Sequence, residues 1–446
     1  MPHPPNLPPH KIPKKTYPIR PHQNPQSCPL SPISWSQALD DIASQLNHII
    51  TQHGPRASLH LSVGINQGPF GTLCAIASQL LLYLTGNFDQ TGGILFHPLA
   101  PWLDWFNQLA PQPYTSRIGR HRSIGQMMTA GILADEILTP GSDKIRALIV
   151  LAGNPLTSIP GQDHLHHAFQ QLDLLVTHDL FVNDTGALAH YQLPATSWLE
   201  RADVAAWHMP FFNTKFLPFA APVQPPPGTA WTEAQFLTQL ARRLGHPLFN
   251  SRPLNHLLGH PRLNHWLPKL WPTINRPFRH RWQDAHGLPF PSPQPGYFNH
   301  RPVHFWHPRL DPEIDRLHHY AAQLTTTNNN NNPNTHTFTI LGRRRRRAQN
   351  SWLHGGTHNG TPDNTAYLHP ADMAALDLTK HDHVHLTTHL GHLTIKVAPD
   401  DGTPRHTIII PHGLPNQNIN ALYPTILEPI SGMHLLHGHT ATLTIP

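Results

Sequence analysis

The sequence predicts an α/β chain. A doubly wound parallel-sheet region is expected over residues 31–245, and a C-terminal β-barrel of the six-stranded type over residues 335–446. Three observations carry this. Ile145–Pro155, Leu172–Asp179 and Leu193–Glu200 each begin as a short apolar run and end in polar residues or glycine, as strands buried in a parallel sheet do, and helical stretches separate them. The last hundred or so residues instead alternate β-branched runs with turns, at Thr337–Leu341, Val384–Thr388, Leu393–Val397, Thr407–Ile410 and Thr440–Ile445. Between these regions, Thr325–Pro333 contains five consecutive asparagines and reads as a linker.

Taken in chain order, residues 1–30 are rich in Pro, His and Lys and lack an apolar core. They read as a flexible lead-in, neither a signal peptide nor a membrane anchor. Leu73–Leu84 is an apolar helix. At about a dozen residues it falls short of the roughly 20 that span a bilayer, so a core helix is expected, with Cys74 as a small core residue. Trp231–Leu244 is amphipathic and Gly245 stops it. Residues 246–334 form an irregular Pro- and Trp-rich insertion that ends in the Asn-rich linker, with short helices such as Pro312–Leu324.

Composition limits the argument from histidine. The chain has 446 residues, enough for roughly three domains, with 50 Pro, 39 His and only 13% charged residues. Asn, Thr and Gln are also abundant, and codons for all five types are dominated by A and C, so nucleotide bias is the simplest source of the histidines. His381, His383 and His385 fall on one face of an expected strand, with His389 and His392 nearby. Zinc would suit them, but an exposed hairpin is the better reading because nothing completes a dedicated site. The same holds for His164, His166 and His167. A formal net charge of +6 suits an anionic partner. No basic repeat interleaved with aromatics supports nucleic acid. Cys28 and Cys74 are the two cysteines, outside any Cys-x-x-Cys spacing, and without a signal the expected compartment is the cytoplasm.

The stretch Leu341–His354 is the most informative. A β-branched run, Thr335–Ile340, leads to a glycine turn at Gly342, five arginines beginning with Arg343 and Arg344, then Asn350, Ser351, Trp352 and His354. Guanidinium forks match phosphate oxygens two at a time, and a glycine lets backbone approach a ligand closely. Alone, the arginines would read as a solvated basic run or a nucleic-acid patch. Downstream come His369-Pro-Ala-Asp372, Pro411-His-Gly413, Asn418-Ile-Asn420 and Ser431-Gly-Met433. In this order and spacing they resemble the C-terminal domain of molybdopterin oxidoreductases, the family of formate dehydrogenases, nitrate reductases and dimethyl-sulfoxide-reductase-like enzymes.

The resemblance extends upstream over most of 33–446, with a divergent gap near 250–324. Gly153-Asn-Pro155 and His178-Asp179 stand at strand ends that resemble the guanosine-holding loops of a Rossmann-like fold, where ligands sit. An ionised Asp179 only accepts hydrogen bonds, which suits the amino edge of guanine. Gly64-Ile-Asn66-Gln67 and Leu84-Thr-Gly-Asn87 resemble the family's strand-loop-helix beside a pterin, and Ser34-Trp35 its Ser-Trp-Asp-Glu-Ala helix. The resemblance implies that Gly64, Asn66 and Gln67 lie beside a pterin. It implies that Gly153, Asn154 and Asp179 hold guanosine. Gly342, Arg343, Arg344, Asn350, Ser351 and His354 would hold pyrophosphate and pterin, with Asn418 and Asn420 closing over the pterin.

The sequence also departs from the family. No four-cysteine segment for an iron–sulfur cluster is present, and no residue matches the molybdenum ligand. Residues 53–58 lead almost at once from the first helix into Leu59–Gly64, so the chain looks shortened at the start and internally. Asp184-Thr-Gly186 replaces the family's Glu-Thr-Ala, and His190 replaces an Asp. The expected function is therefore a formate-dehydrogenase-like oxidoreductase that binds molybdopterin guanine dinucleotide, with molybdenum or tungsten and no iron–sulfur cluster of its own, or a truncated form of one. The alternative is a non-catalytic partner subunit of a split molybdoenzyme. The implied partners are a small-molecule substrate or an electron-transfer protein, and a separate subunit carrying the iron–sulfur domain.

Overall fold

The computed structural model describes residues 19–21, 30–32, 34–54, 56–96, 114–124, 127–204, 216–246, 252–258, 260, 287–289, 293–327, 336–344, 351, 364–414 and 418–446. In chain order, β1 (Ile19–Pro21) pairs with β2 (Leu30–Pro32), followed by α1 (Trp35–His53) and α2 (Gly71–Leu84). The α/β elements follow: α3 (Leu133–Leu138), β3 (Ala147–Leu151), α4 (Pro155–Ser158), α5 (Gln162–Gln170), β4 (Leu174–Asp179), α6 (Asp184–Ala187) and β5 (Tyr191–Pro194). Then come β6 (Asp203–Val204), β7 (Phe216–Ala220), α7 (Glu233–Arg243), α8 (Arg252–Leu258), β8 (Gly287–Pro289) and α9 (Asp311–Thr327). The C-terminal elements are β9 (Thr337–Arg343), β10 (Ala366–Leu368), α10 (Pro370–Ala375), β11 (His383–Thr387), β12 (His392–Pro399), β13 (Thr407–Pro411) and β14 (Thr440–Thr444). The chain divides into two compact units that interleave in sequence. The first comprises 1–86, 157–162 and 305–446, the second 87–156 and 163–304.

In the first unit the six strands β9–β14 close into a barrel, in the order β10-β12-β11-β14-β9-β13. Period-two patterning makes this possible. Phe338 and Ile340 of β9, Val384 and Leu386 of β11, and Leu393, Ile395 and Val397 of β12 all enter the same core. The residues between them face outward. His385 is one of these, and its Nδ1 lies 2.7 Å from Thr394 Oγ1 on the neighbouring strand. Among the described residues no three His, Cys, Asp or Glu side chains are grouped to hold a metal. Closure also needs two parallel contacts, β9 with β13 and β10 with β12.

The His369-Pro-Ala-Asp372 motif has a structural explanation. His369 caps α10, its Nδ1 accepting from the Ala371 amide at 3.0 Å, and Pro370 occupies a position where a helix has no use for an N–H. Asp372 is buried and accepts from Arg405 Nε at 2.5 Å and from the His406 amide at 2.7 Å, which pins the helix to the start of β13.

Two expectations fail in the N-terminal part of this unit. The strand expected before Gly64 is absent. Residues 56–62 are irregular and Val63–Ile65 is a single 3-10 turn, with no neighbouring strand to satisfy an extended backbone. The helix expected near 73–84 forms as α2 but is not a core helix. Gly71 and Leu82 alone are buried, Leu81 and Leu84 are 54% and 73% exposed, and Cys74 is exposed. Its apolar residues surround the whole cylinder, while packing covers only one side. In α1, capped by Ser34 Oγ, the apolar stripe Leu39, Ile42, Leu46 and Ile49 also lies open to solvent.

In the second unit β3, β4 and β5 form a parallel sheet in that order. The central strand β4 is buried along most of its length, and the flanking strands keep exposed positions such as Ile149 and Tyr191. Leu165, Ala168 and Phe169 are the buried residues of α5. His190 acts as an acceptor, its Nδ1 taking the Leu175 amide at 2.9 Å. The helix expected at 231–244 is present as α7, and Thr232 and Gln235 form a capping box at its start. Among the described residues no helix is long and apolar enough to cross a membrane.

Glu428 provides a test of the first unit. It is fully buried, and its Oε2 accepts from the Ser431 amide (2.5 Å), the Ser431 hydroxyl (2.6 Å) and the Ile430 amide (3.1 Å). Burial raises its ionisation point, but the hydrogen bonds from Ser431, Thr72 and Ile430 outweigh this and hold it below the usual 4.5. A depressed folded-state value contributes stability that is present above the unfolded value and lost as pH falls through the folded one. The melting temperature should therefore drop as pH is lowered below about 4.5, and Glu428→Gln should flatten that dependence. Superimposable acid profiles for the two proteins would refute this role.

Candidate functional site

The cavity in the first unit is built by the end of the β9–β13 pair. Their parallel register sets Gly342 beside Ile410 and Arg343 beside Pro411, and the His412 amide then donates to Arg343 O at 3.1 Å. The two strands therefore end together and deliver Gly342–Arg344 next to His412–Gly413. Gly342 continues β9 rather than making the expected turn. The turn falls at Gly413, whose φ of +80° suits glycine.

Asn418–Tyr423 forms the next wall. Asn418 Oδ1 caps a 3-10 turn by accepting from the Asn420 amide at 3.1 Å. The side-chain amides of Asn418 and Asn420 both donate to the Thr157 carbonyl, at 3.0 and 2.8 Å. The Gly161 amide donates to the carbonyls of Asn420 (3.0 Å) and Tyr423 (3.1 Å). Segment 157–161 is thus held against this wall and brings Ser158 to it. On another side, Leu436 N donates to Gln67 O at 3.0 Å.

The cavity, partly open, is about 220 Å³. Arg344, His412 and His437 line it with cationic or protonatable groups, and among the described residues no carboxylate does. Gln67, Ser158, Ser351 and Asn420 add hydrogen-bonding groups. Tyr423 is the largest fully buried side chain among the described residues, and its hydroxyl makes no well-formed hydrogen bond, only a loose one with the Gly342 backbone. Burial pushes the ionisation of this phenol far above its ordinary range, which the Gly342 backbone offsets only in part. It is a neutral donor. A loosely satisfied hydroxyl beside a cavity with no carboxylate among its described lining residues fits an anionic, acceptor-rich ligand.

Of the residues that the sequence singled out, Gln67, Gly342, Arg344, Ser351 and Asn420 come together here. Gly64 lies in the 3-10 turn just before, and Asn66 ends that turn. Asn418 does not line the cavity and instead holds Thr157. Arg343 points elsewhere, 3.5 Å from Asp400 and with its guanidinium over the Tyr367 ring. Asn350 and His354 lie outside the described residues.

In the second unit Gly153, Asn154 and Asp179 meet at the carboxyl ends of β3 and β4. Asn154 is buried. Its Oδ1 accepts from the Thr185 hydroxyl at 2.8 Å and its Nδ2 donates to Asp184 at 3.1 Å. Asp179 accepts from the Leu180 amide (2.6 Å) and from Asn183 Nδ2 (3.1 Å), and each oxygen keeps a further lone pair. Ala152, just before Gly153, takes a φ of +49°, and its amide donates to His178 O at 2.9 Å. His178 is buried and stacked on Phe236, and burial lowers its pKa against the opposing pull of Glu233.

Ser158, His412, Tyr423 and His437 escaped the sequence reading as site residues. His412 was inside a recognised motif, and Tyr423 directly follows another. Ser158 and His437 carry no local signal, because only the tertiary fold brings them to the cavity.

Comparison with known proteins places these features in a family. Residues 133–243 match the molybdopterin oxidoreductase family and residues 338–440 the molydopterin dinucleotide binding domain. The chain is 28% identical over 286 residues to acetylene hydratase of Syntrophotalea acetylenica, covering 60% of this chain and 37% of that protein. It is 30% identical over 112 residues to the probable oxidoreductase YyaE of Bacillus subtilis, 25% of this chain and 16% of that one. It is 29% identical over 122 residues to F420-dependent formate dehydrogenase 1 subunit alpha of Methanococcus maripaludis, 27% and 17% respectively. The chain thus matches well under half the length of each of these relatives. The solved structure of acetylene hydratase from Pelobacter acetylenicus shares the fold, with a TM-score of 0.60 and 19% identity over 91% of this chain and 64% of that one. Residues 133–243 are thus similar to the molybdopterin oxidoreductase family and residues 338–440 to the molydopterin dinucleotide binding domain.

Proposed function

We propose that this chain is the cofactor-holding part of a molybdopterin oxidoreductase, and that its cavity grips the phosphate–pterin portion of a molybdopterin guanine dinucleotide. The observation that carries this is a cavity with Arg344, His412 and His437 and no carboxylate among its described lining residues, and with the loosely satisfied Tyr423 hydroxyl in its lining residue set. At about 220 Å³ it is smaller than the roughly 300 Å³ at which whole-ligand pockets begin, so it suits one part of a large ligand. Arg344 would meet phosphate, Gln67, Ser351 and Asn420 would meet polar pterin edges, and Gly342 would add no side chain to the lining. In the other unit, Gly153, Asn154 and Asp179 would take up guanosine, with the carboxylate on the base amino group. The bound metal and its pterin supply two-electron or oxygen-atom transfer, and the protein's share is grip and orientation.

A formate-dehydrogenase-like reaction is supported by the formate dehydrogenase relative, and a hydratase-like one by the longer match to acetylene hydratase. A second reading is a non-catalytic partner subunit of a split enzyme.

Protein produced in a host that makes the cofactor should carry near-stoichiometric molybdenum or tungsten and release guanine nucleotide on denaturation. A well-folded product holding neither would end the cofactor reading. Metal and nucleotide without turnover of formate, nitrate or sulfoxides, in the presence of an iron–sulfur partner, would support the partner-subunit reading. Gly342 offers a steric test. A Cβ there meets Ile419 Cδ1 and Tyr423 Oη at 3.9 Å and His412 Cβ at 4.0 Å, ordinary contacts. Gly342→Ala should keep the parent melting temperature and nucleotide content. Gly342→Phe should fill the cavity and lower nucleotide content by roughly ten-fold or more, the loss of a charge-assisted contact. Equal loading of both variants would show that the ligand sits elsewhere.

A further inference from the structure

We infer that Glu313 and Arg316 of α9 form a clamp on the loop 67–70, and that Arg316 is the positioning residue that sets the cavity wall at Gln67. This rests on the cofactor reading above only in taking the group met at Gln67 to be a pterin.

The loop joins the 3-10 turn Val63–Ile65 to α2, and it shares the first unit with α9. Gln67 lines the cavity. The loop has little backbone bonding of its own. The Gly68 amide reaches Ile65 O only at 3.4 Å, and Pro69 has no N–H to donate. Phe70 stands at the N-cap of α2, where a Ser, Thr, Asp or Asn side chain would bond the first helix amides, and it makes no such cap. Restraint therefore comes from other elements. On one side Leu436 N donates to Gln67 O at 3.0 Å, and the Thr72 side chain hydrogen-bonds the buried Glu428. On another stands α9. Arg316 Nη2 donates to the Pro69 carbonyl, and the guanidinium carbon lies 4.3 Å from the centre of the Phe70 ring. Tyr320, one helical turn further on, meets the same ring edge-on with centroids 5.4 Å apart.

Arg316 is itself aimed by its neighbour. Glu313 is buried, and its two oxygens accept from Arg316 Nε at 3.3 Å and from Nη2. This fork fixes the guanidinium plane, and Nη2 gives one proton to Glu313 and the other to Pro69. The pair thus connects a buried carboxylate to the carbonyl two residues after Gln67. Neither α9 nor the loop falls within 133–243 or 338–440, the segments matched by the family comparisons. Arg316 is not among the cavity-lining residues, so its effect on a ligand must pass through the loop.

The test uses the full chain, with neopterin as probe (followed by its fluorescence) and backbone hydrogen exchange as the measure of the loop. The double variant Glu313→Gln, Arg316→Met removes both charges together and leaves no unpaired buried carboxylate. Amides of residues 66–72 should exchange faster in it, while those of β11 and β12 exchange as in the parent. The parent should bind neopterin, and the double variant should bind it about ten-fold more weakly, as expected for one misplaced hydrogen bond. Gln67→Ala should weaken binding in the parent background and have little further effect in the clamp variant. That coupling would not arise if Arg316 served stability alone. Phe70→Leu keeps the ion pair and removes the ring, and it should shift exchange and affinity in the same direction even if the double variant folds poorly. Unchanged exchange at 66–72, unchanged neopterin affinity, fully additive losses with Gln67→Ala, or no neopterin binding by the parent would each overturn the inference. Metal and guanine-nucleotide content of the parent decides the cofactor reading separately. A loaded parent whose loop ignores the clamp variants would refute the clamp and leave that reading standing. A parent without metal or nucleotide, whose neopterin binding depends on Arg316, would do the reverse.

Discussion

The parallel register of β9 on β13 is the constraint on which the cavity depends. Each strand brings its own motif, one ending in Gly342 and the arginines, the other in Pro411-His-Gly413. A slip of one residue would turn Phe338 and Ile340 out of the barrel core and carry Arg344 past His412. The full burial of β13 on both faces makes such a slip costly, because Ile408 and Ile410 fill the barrel while Thr407, Ile409 and Pro411 are covered as well. The geometry of a polar site is thus set by apolar packing a few residues away.

A second layer is polar and equally buried. Asn418, Asn420 and the Thr157 carbonyl pair with one another in a region where an unmet group would cost about 1–3 kcal/mol. Tyr423, in the same wall, departs from this pattern with a hydroxyl that the described residues satisfy only loosely, through the Gly342 backbone. A buried group so loosely met in an otherwise well-satisfied wall is one that the proposed ligand would complete.

Much of this was legible in the sequence where local pattern and tertiary structure agree. The barrel strands show their period of two, the ends of α7 carry their own capping signals, and the five C-terminal motifs sit at chain positions that the family resemblance already marked. Burial was harder to read. The helix around Cys74 is apolar all round, a pattern that predicts a core helix, but whether other elements cover it is a property of the rest of the chain. Gly342 shows a related failure. Glycine before arginine suggests a turn, but pairing with Ile410 keeps it in the strand and the bend moves to Gly413. The dual role of the two asparagines was hidden because their partner, Thr157, lies more than 250 residues away, at separations of 261 and 263. No local window contains both ends of such a contact.

The closed barrel also has a consequence in time. Its first strand, β9, pairs with its last, β14, and with β13, so neither edge of β9 is filled until nearly the whole domain is present. During synthesis the Phe338–Leu341 segment leaves the ribosome about a hundred residues before Thr440, several seconds at roughly 5–20 residues per second. For that interval β9 is an apolar strand with two open edges, next to a run of five arginines. Like charges beside an unpaired strand discourage one nascent chain from adding to another. The basic run can therefore act during synthesis as a guard against misassembly.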